Sequence, residues 1–226
     1  PAVAVPAAPR PVASPAAAAK PAAPARGVQA LEAAHAAEAA GQAEKAIDAW
    51  KLVLRQEPGS AEARAALARL YTAAGRWANL VELHRQEIDS LGGVRTGPDG
   101  VVTHRERKLE LLREMADVYQ DRLGQEPMVV QTYNSILAIE PGDRAALVAL
   151  AASYEKLGRH TDVVKVLDQQ AEHSADPAER VALYRKIAWI WLDRFNNVNN
   201  ATKPLEQILA IDPRDADAIA QLKDLY

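Results

Sequence analysis

Residues Tyr133 to Gly158 read YNSILAIEPGDRAALVALAASYEKLG, and their order decides the fold. An apolar helix ends at Ile139. Glu140-Pro141-Gly142-Asp143 stops it and offers Asp143 as an N-cap for the next helix. That helix places Leu147, Leu150, Ala151 and Tyr154 on one stripe and stops at Gly158. Near the C-terminus the same grammar returns as LEQILAIDPRDADAIAQLKDLY from Leu205 to Tyr226. A chain that repeats a helix–turn–helix unit stacks units, because one hairpin cannot bury its apolar face alone.

Composition agrees with closely packed helices. Alanine dominates, aromatics are 5% of the 226 residues, and only one Phe is present. Charged residues are 25% and the net charge is −3, which argues against a dedicated nucleic-acid binder, since such a surface needs a basic footprint. With no cysteine there is no disulfide, thiolate zinc site or thiol nucleophile. No apolar run approaches the roughly 18–20 residues needed to cross a bilayer, so no membrane insertion is expected. The first residue is Pro1 rather than Met, as in a fragment or a processed product. The compartment stays open; the reading favours the cytoplasm and allows the periplasm.

Residues 1–26 hold seven prolines among alanines, a composition for a semi-rigid, partly polyproline II linker. Pro6-x-x-Pro9 and Pro21-x-x-Pro24 also fit the bare pattern of a ligand for a proline-recognition module. From Gly27 the pattern is helical. Ala46, Ile47, Trp50, Val53 and Leu54 form one stripe, Pro58-Gly59 breaks it, and Ser60 caps a helix carrying Leu67, Leu70 and Tyr71. Trp77–Leu91 follows, with His84 and Glu87 where its inner face should be apolar. The interval from Pro58 to Pro141 is longer than that from Pro141 to Pro213, so the first carries an insertion, placed at the turn-rich Gly92–Val102. Thr103-x-x-Glu106 reads as a capping box, and Asp176-Pro177-Ala178-Glu179 as another helix start. Pro204 is expected in a first turn, which requires its helix to begin near Asn200.

These motifs resemble the tetratricopeptide repeat, whose unit is about 34 residues in two antiparallel helices. The first-helix signature stands as Leu112-x-x-Met115-Ala116-x-x-Tyr119, Leu147-x-x-Leu150-Ala151-x-x-Tyr154 and Tyr184-x-x-Ile187-Ala188-x-x-Trp191, with a weaker copy from Arg64 to Tyr71. The second-helix signature stands as Ala46-x-x-x-Trp50, Val129-x-x-x-Tyr133, Val163-x-x-x-Leu167 and Ala201-x-x-x-Leu205. The resemblance implies an all-α fold, a right-handed α-solenoid of about five and a half tetratricopeptide-like units. Their expected bounds are about 27–60, 61–91, 104–142, 143–175, 176–214 and a partial 215–226, with a loop insertion at 92–103 and a linker at 1–26. The third and fifth units carry one extra residue at the internal turn, so the true period is read as a double unit, the interval from Pro141 to Pro213. The sixth unit has only a first helix, whose Ile219, Leu222 and Leu225 suit continuation of the array. The Ala/Arg-rich, Cys-free composition is of bacterial type.

No catalytic chemistry is found. The histidines at 35, 84, 104, 160 and 173 share no ligand spacing, there is no phosphate-cradling glycine motif and no nucleophile elbow, and the carboxylates sit beside Lys and Arg as solvated pairs. No cofactor or metal is implied. The resemblance instead implies a concave groove, lined by first helices, that holds a protein or peptide partner. Counting along those helices puts Arg69, Arg113, Asp117, Val148, Ala152, Glu155, Arg185 and Trp189 there; Arg and Trp are frequent anchors of binding hot spots. The Lys and Asn set of the family's clamp for chaperone carboxylates is missing. The expectation is a non-catalytic scaffold in a larger assembly. The alternatives are the regulatory or sensing arm of a multidomain enzyme such as a kinase, or an envelope-assembly factor.

Overall fold

The computed structural model describes residues 26–92 and 104–226. The expected linker at 1–26 falls outside them save for Arg26, and the expected insertion at 92–103 save for Gly92. Eleven α-helices and no strand occur among the described residues: α1 (Arg26–Ala39), α2 (Ala43–Gln56), α3 (Ala61–Ala73), α4 (Trp77–Ser90), α5 (Arg105–Asp117), α6 (Glu126–Ile139), α7 (Arg144–Lys156), α8 (His160–His173), α9 (Pro177–Asp193), α10 (Val198–Ile211) and α11 (Ala216–Leu225). They fall into two compact units divided at Leu70 and Tyr71, inside α3.

In the first unit α1 packs on α2. The alanine face of α1 makes room for a large partner: Ala30 and Ala34 are buried, and so is Trp50. The Trp50 ring stands edge-on to His35, with centroids 5.0 Å apart, and its indole N–H donates to Glu38 at 3.1 Å. A buried indole with its N–H satisfied anchors a hairpin that offers few other bulky side chains.

In the second unit each helix from α4 to α11 packs on its neighbours in sequence. That nearest-neighbour pattern is the α-solenoid arrangement the repeats imply. One continuous core runs from α6 to α11, including Leu147, Leu150, Val163, Leu167, Ile187, Leu205 and Ile208. A smaller cluster of Leu109, Leu112, Ile136 and Ala146 lies under α5 and α7.

The turns within hairpins show how the extra residues are absorbed. After α7, Gly158 takes φ +67°, and the Arg159 N–H closes on the Tyr154 carbonyl, five residues back, at 2.9 Å. After α5 the helix widens into a π-helical segment, Val118–Leu123, and the closure runs six residues back, from Gln125 N–H to the Tyr119 carbonyl at 3.0 Å. After α9 the closure is again six residues, from Asn197 N–H to the Trp191 carbonyl at 2.8 Å. There Asn196 adopts φ +47° in place of a glycine, a conformation Asn tolerates better than most side chains. The one-residue excess read in alternate units is thus a wider closing turn at Tyr119 and Trp191, two positions separated by one double unit.

The capping box expected at Thr103 begins on a residue outside those described; α5 starts at Arg105, behind His104 in the left-handed region. Two other local expectations are corrected. Asp176 does cap α9 through the Ala178 N–H, but Glu179 does not reach back to it; its carboxylate accepts from Ser174 Oγ at 2.7 Å and from Arg144 at 2.6 Å. In α10 the Asn197 side chain caps at the Asn200 N–H, which starts the helix at Val198. Pro204 therefore lies inside the helix, where it removes one ladder donor.

The α4–α5 junction holds buried polar groups. His84 is 4% exposed, and its Nε2 lies 3.1 Å from Glu114 while Nδ1 has no hydrogen-bond partner. Glu87 is bound by Arg107 at 2.8 Å. Lys108, expected on a solvated charged face, is buried instead and its ammonium donates to the Gly92 carbonyl. Burial holds the His84 imidazole below its ordinary pKa, against the raising influence of Glu114 and Glu87. A histidine depressed in the folded state binds a proton more readily once unfolded, so its linkage contribution is fully present above about pH 6.5 and is lost as pH falls towards the folded value. Urea titrations from pH 7.5 to 5.5 should show the wild-type midpoint falling more steeply than that of His84→Phe; parallel slopes would contradict this.

Candidate functional site

The exposed sides of α5, α7 and α9 carry most of the residues singled out from sequence. Each emerges one position from the packed stripe: Arg113 beside Leu112, Val148 beside Leu147, Arg185 beside Tyr184. All eight candidates except Arg185 are exposed, and Arg185 is half-buried.

The structure commits the arginines. Arg113 donates to Asp143 at 2.6 Å, and Arg185 donates to Asp215 at 2.7 Å and to Asp217 at 2.8 Å. Asp143 and Asp215 are the N-caps of α7 and α11, accepting from the Ala146 and Ala218 N–H groups at 2.9 Å each. Each arginine thus ties one first helix to the capping residue of the next first helix. Burial pushes the Asp143 carboxyl up, but the Ala146 N–H and the Arg113 guanidinium outweigh it and hold the carboxyl below its usual value. Lys186 of α9 pairs with Glu155 of α7 at 2.6 Å, and Arg144 at the start of α7 pairs with Glu179 in α9. In the first unit Arg69 pairs with Glu38 at 2.8 Å. Asp117 is exposed on α5. Packing contacts join neither Arg113 nor Asp117 to Trp189, since α5 and α9 do not touch among the described residues.

Apart from Asp117, the candidates left uncommitted are apolar. Trp189 is 51% exposed and Val148 is 53% exposed. The Arg194 guanidinium lies over the Trp189 ring at 5.4 Å from its centroid, which restrains the indole without covering it. Ala178, Val181, Ala182, Arg185, Lys186 and Trp189 line an open depression along α9. A second depression is bordered by Leu147, Val148, Gln170, His173, Ser174 and Glu179; Glu179 follows Ala178 of the first along α9. Gly142 borders it too, and a Cβ there would stand 3.3 Å from His173 Nδ1, so this position is close to the limit for any larger residue. The depression around Val148 was not singled out from sequence, because Gln170, His173 and Ser174 come from the end of α8 and join it only through packing. Among the described residues no group of three or more His, Cys, Asp and Glu could hold a metal ion. No helix among them is long and apolar enough to cross a membrane.

Paired helices with small residues at the crossings, and a first-helix face left open, define a helical-repeat protein built to present a surface. Family comparison agrees: one tetratricopeptide-repeat model matches residues 37–78, and a second matches residues 63–95 and 146–181. Over those residues the chain consists of tetratricopeptide repeats, a fold that generally serves as a scaffold for protein–protein interaction. Among solved structures, a tetratricopeptide repeat protein from Parabacteroides merdae is 17% identical, with 88% of this chain and 72% of that chain covered and a TM-score of 0.43. YrrB, described as a TPR protein with an unusual peptide-binding site, is 14% identical over 89% of this chain and 100% of its own, with a TM-score of 0.41. The MamA protein is 14% identical over 84% of this chain and 94% of its own, with a TM-score of 0.42. No curated protein matches the chain in sequence.

The Arg113–Asp143 pair is half-exposed on the arginine side, so solvent screening limits its worth to about 0.2–1 kcal/mol, whereas the Asp143 cap is worth about 1 kcal/mol. Asp143→Ala should therefore destabilise more than Arg113→Ala. Because the folded carboxyl titrates below its unfolded value, its contribution is present above about pH 4 and disappears as pH falls through the folded pKa. Chemical denaturation of both variants and the double variant at pH 7 and pH 3 checks this; equal losses at the two pH values would refute it.

Proposed function

We propose that residues 27–226 form a non-catalytic scaffold that binds a segment of a partner protein along the exposed face of α9, extending towards Val148 on α7. The carrying observation is Trp189: a large, half-exposed indole, steadied by Arg194 and flanked by small or apolar Val181 and Ala182. A rigid aromatic with little rotamer freedom left to lose is a strong anchor for a partner's apolar side chain. Arg185 and Lys186 act here as the frame rather than as free donors, since both are held in ion pairs. A partner gains from that arrangement because the surface is ordered before binding. The unit bounds proposed are those read from sequence, about 27–60, 61–91, 104–142, 143–175, 176–214 and a partial 215–226; the packing of α1 on α2, α5 on α6, α7 on α8 and α9 on α10 supports that reading.

The contacts also dictate which variants test the surface. Arg185→Glu would break the tie between α9 and α11 and confuse stability with binding. Trp189→Ala and Ala182→Arg change exposed side chains instead. In affinity capture with the full chain as bait, both variants should lose recovered partner about tenfold, equivalent to about 1.4 kcal/mol, with far-UV circular dichroism and thermal midpoint unchanged. Undiminished recovery in both would move the binding surface away from α9.

A further inference from the structure

The packed stripe gives the first helices of the second unit a common reference. Met115 on α5, Leu150 on α7, Ile187 on α9 and Leu222 on α11 hold the same place in the repeat, and all four are buried. Equal offsets from these residues turn side chains to the same face of each helix. Two positions beyond them stand Asp117, Ala152, Trp189 and Asp224; five positions before them stand Glu110, Ala145, Ala182 and Asp217. All eight are exposed. Ion pairs hold the four helices side by side. Arg113 of α5 reaches the Asp143 cap of α7, Lys186 of α9 reaches Glu155 of α7, and Arg185 of α9 reaches Asp215 and Asp217 at the start of α11. The face they share is apolar along α7 and α9 and acidic along α5 and α11.

The charges on this face are engaged unevenly. Arg113, Arg144, Arg185 and Lys186 each hold a carboxylate. Of the acidic groups, Glu110 is held by Arg107 and Asp217 by Arg185. Asp117 and Asp224, level with Trp189 in the repeat, make no hydrogen bond or ion pair among the described residues. From α5 to α11 this level therefore offers a free carboxylate, an alanine, an indole and a second free carboxylate. A partner's carboxylate laid across it must displace an existing acceptor to reach any of those four cations. A partner's ammonium or guanidinium meets two acceptors with no prior claim on them.

We propose that the partner segment taken by the Trp189 surface is apolar at its centre and basic on both flanks. Its bulky apolar side chains lie on Val148, Ala152 and Trp189, and a lysine or arginine on either side meets Asp117 or Asp224. This rests on the reading of α9 as the partner surface and adds the sign of charge which that surface selects. The apolar centre supplies most of the affinity. Each exposed charge contact contributes about two- to fivefold and weakens as salt rises. Selectivity comes from the opposite case, because an acidic segment places like charges against Asp117 and Asp224. The same repulsion disfavours a second copy of the chain laid face to face, which would bring acidic flank against acidic flank.

The test selects a phage-displayed library of random peptides on the immobilised full chain, with the Trp189→Ala chain as counter-selection. Retained sequences then depend on the indole. They should carry an apolar core with Lys or Arg on both sides and few Asp or Glu. Synthesised, labelled and followed by fluorescence anisotropy, they should bind about tenfold more weakly to the paired variant Asp117→Lys/Asp224→Lys. Replacing their basic flanks with Glu should reverse the order, so that the paired variant binds more tightly than the wild type. Both positions are exposed and unpartnered, so the fold should hold, with circular dichroism and the thermal midpoint as checks. Trp189-dependent peptides with acidic or unbiased flanks, or no reversal, would overturn this proposal and leave the α9 surface standing. If no peptide depends on Trp189, the α9 reading itself fails and this one with it. Sedimentation velocity supplies the last arm: self-association that Trp189→Ala abolishes would also overturn the proposal, since a second copy then fills the face.

Discussion

At two junctions between first helices, α5 to α7 and α9 to α11, register depends on one interaction, an arginine from one helix bound to the aspartate that caps the next. Asp143 and Asp215 each spend one oxygen on a backbone N–H at the helix start and the other on Arg113 or Arg185. The negative end of this contact sits where the helix macrodipole is positive, so cap, dipole and ion pair act in the same sense. No single part is strong, because the arginines are half-exposed. Its value lies in geometry: a capped helix has a defined first turn, and tying that turn to the preceding repeat sets the distance between the two.

The intervening junction uses a different device. Arg144 of α7 reaches Glu179, which lies three residues past the Asp176 cap of α9, and Ser174 holds the same carboxylate. Asp176 is left to cap alone. Junctions therefore alternate, and the alternation matches the wider closing turns after α5 and α9. The double period is a property of side-chain contacts as well as of chain length.

The sequence made the local rules readable. Ser60, Asp143, Asp176 and Asp215 cap as their residue types and positions indicate, and Tyr71, Tyr119, Tyr154 and Trp191 each supply the carbonyl that closes a turn. What could not be read required knowing the neighbour. Arg113 and Arg185 look like exposed anchors until Asp143 and Asp215, 30 residues further on, are brought against them. Lys108 looks solvated on its own helix, yet it is buried and donates to the Gly92 carbonyl at the end of α4. His104 ahead of α5 takes a left-handed conformation that residue type alone does not announce. Trp189 falls off the packed stripe because Trp191 occupies it in the first-helix signature, and it is exposed, a placement that spacing gives without any tertiary contact.

The six-residue closures at Tyr119 and Trp191 have a consequence for how such a chain can change length. Cutting out one whole double unit between equivalent points joins a wide turn to the context of a wide turn and an arginine to a capping aspartate. A cut of one hairpin would set Arg113 against Glu179 and the Asp176 cap, where the contact now made by Arg144 belongs. Duplication or loss should therefore proceed in pairs of hairpins, and the chain is better regarded as a series of four-helix modules than as a series of two-helix ones.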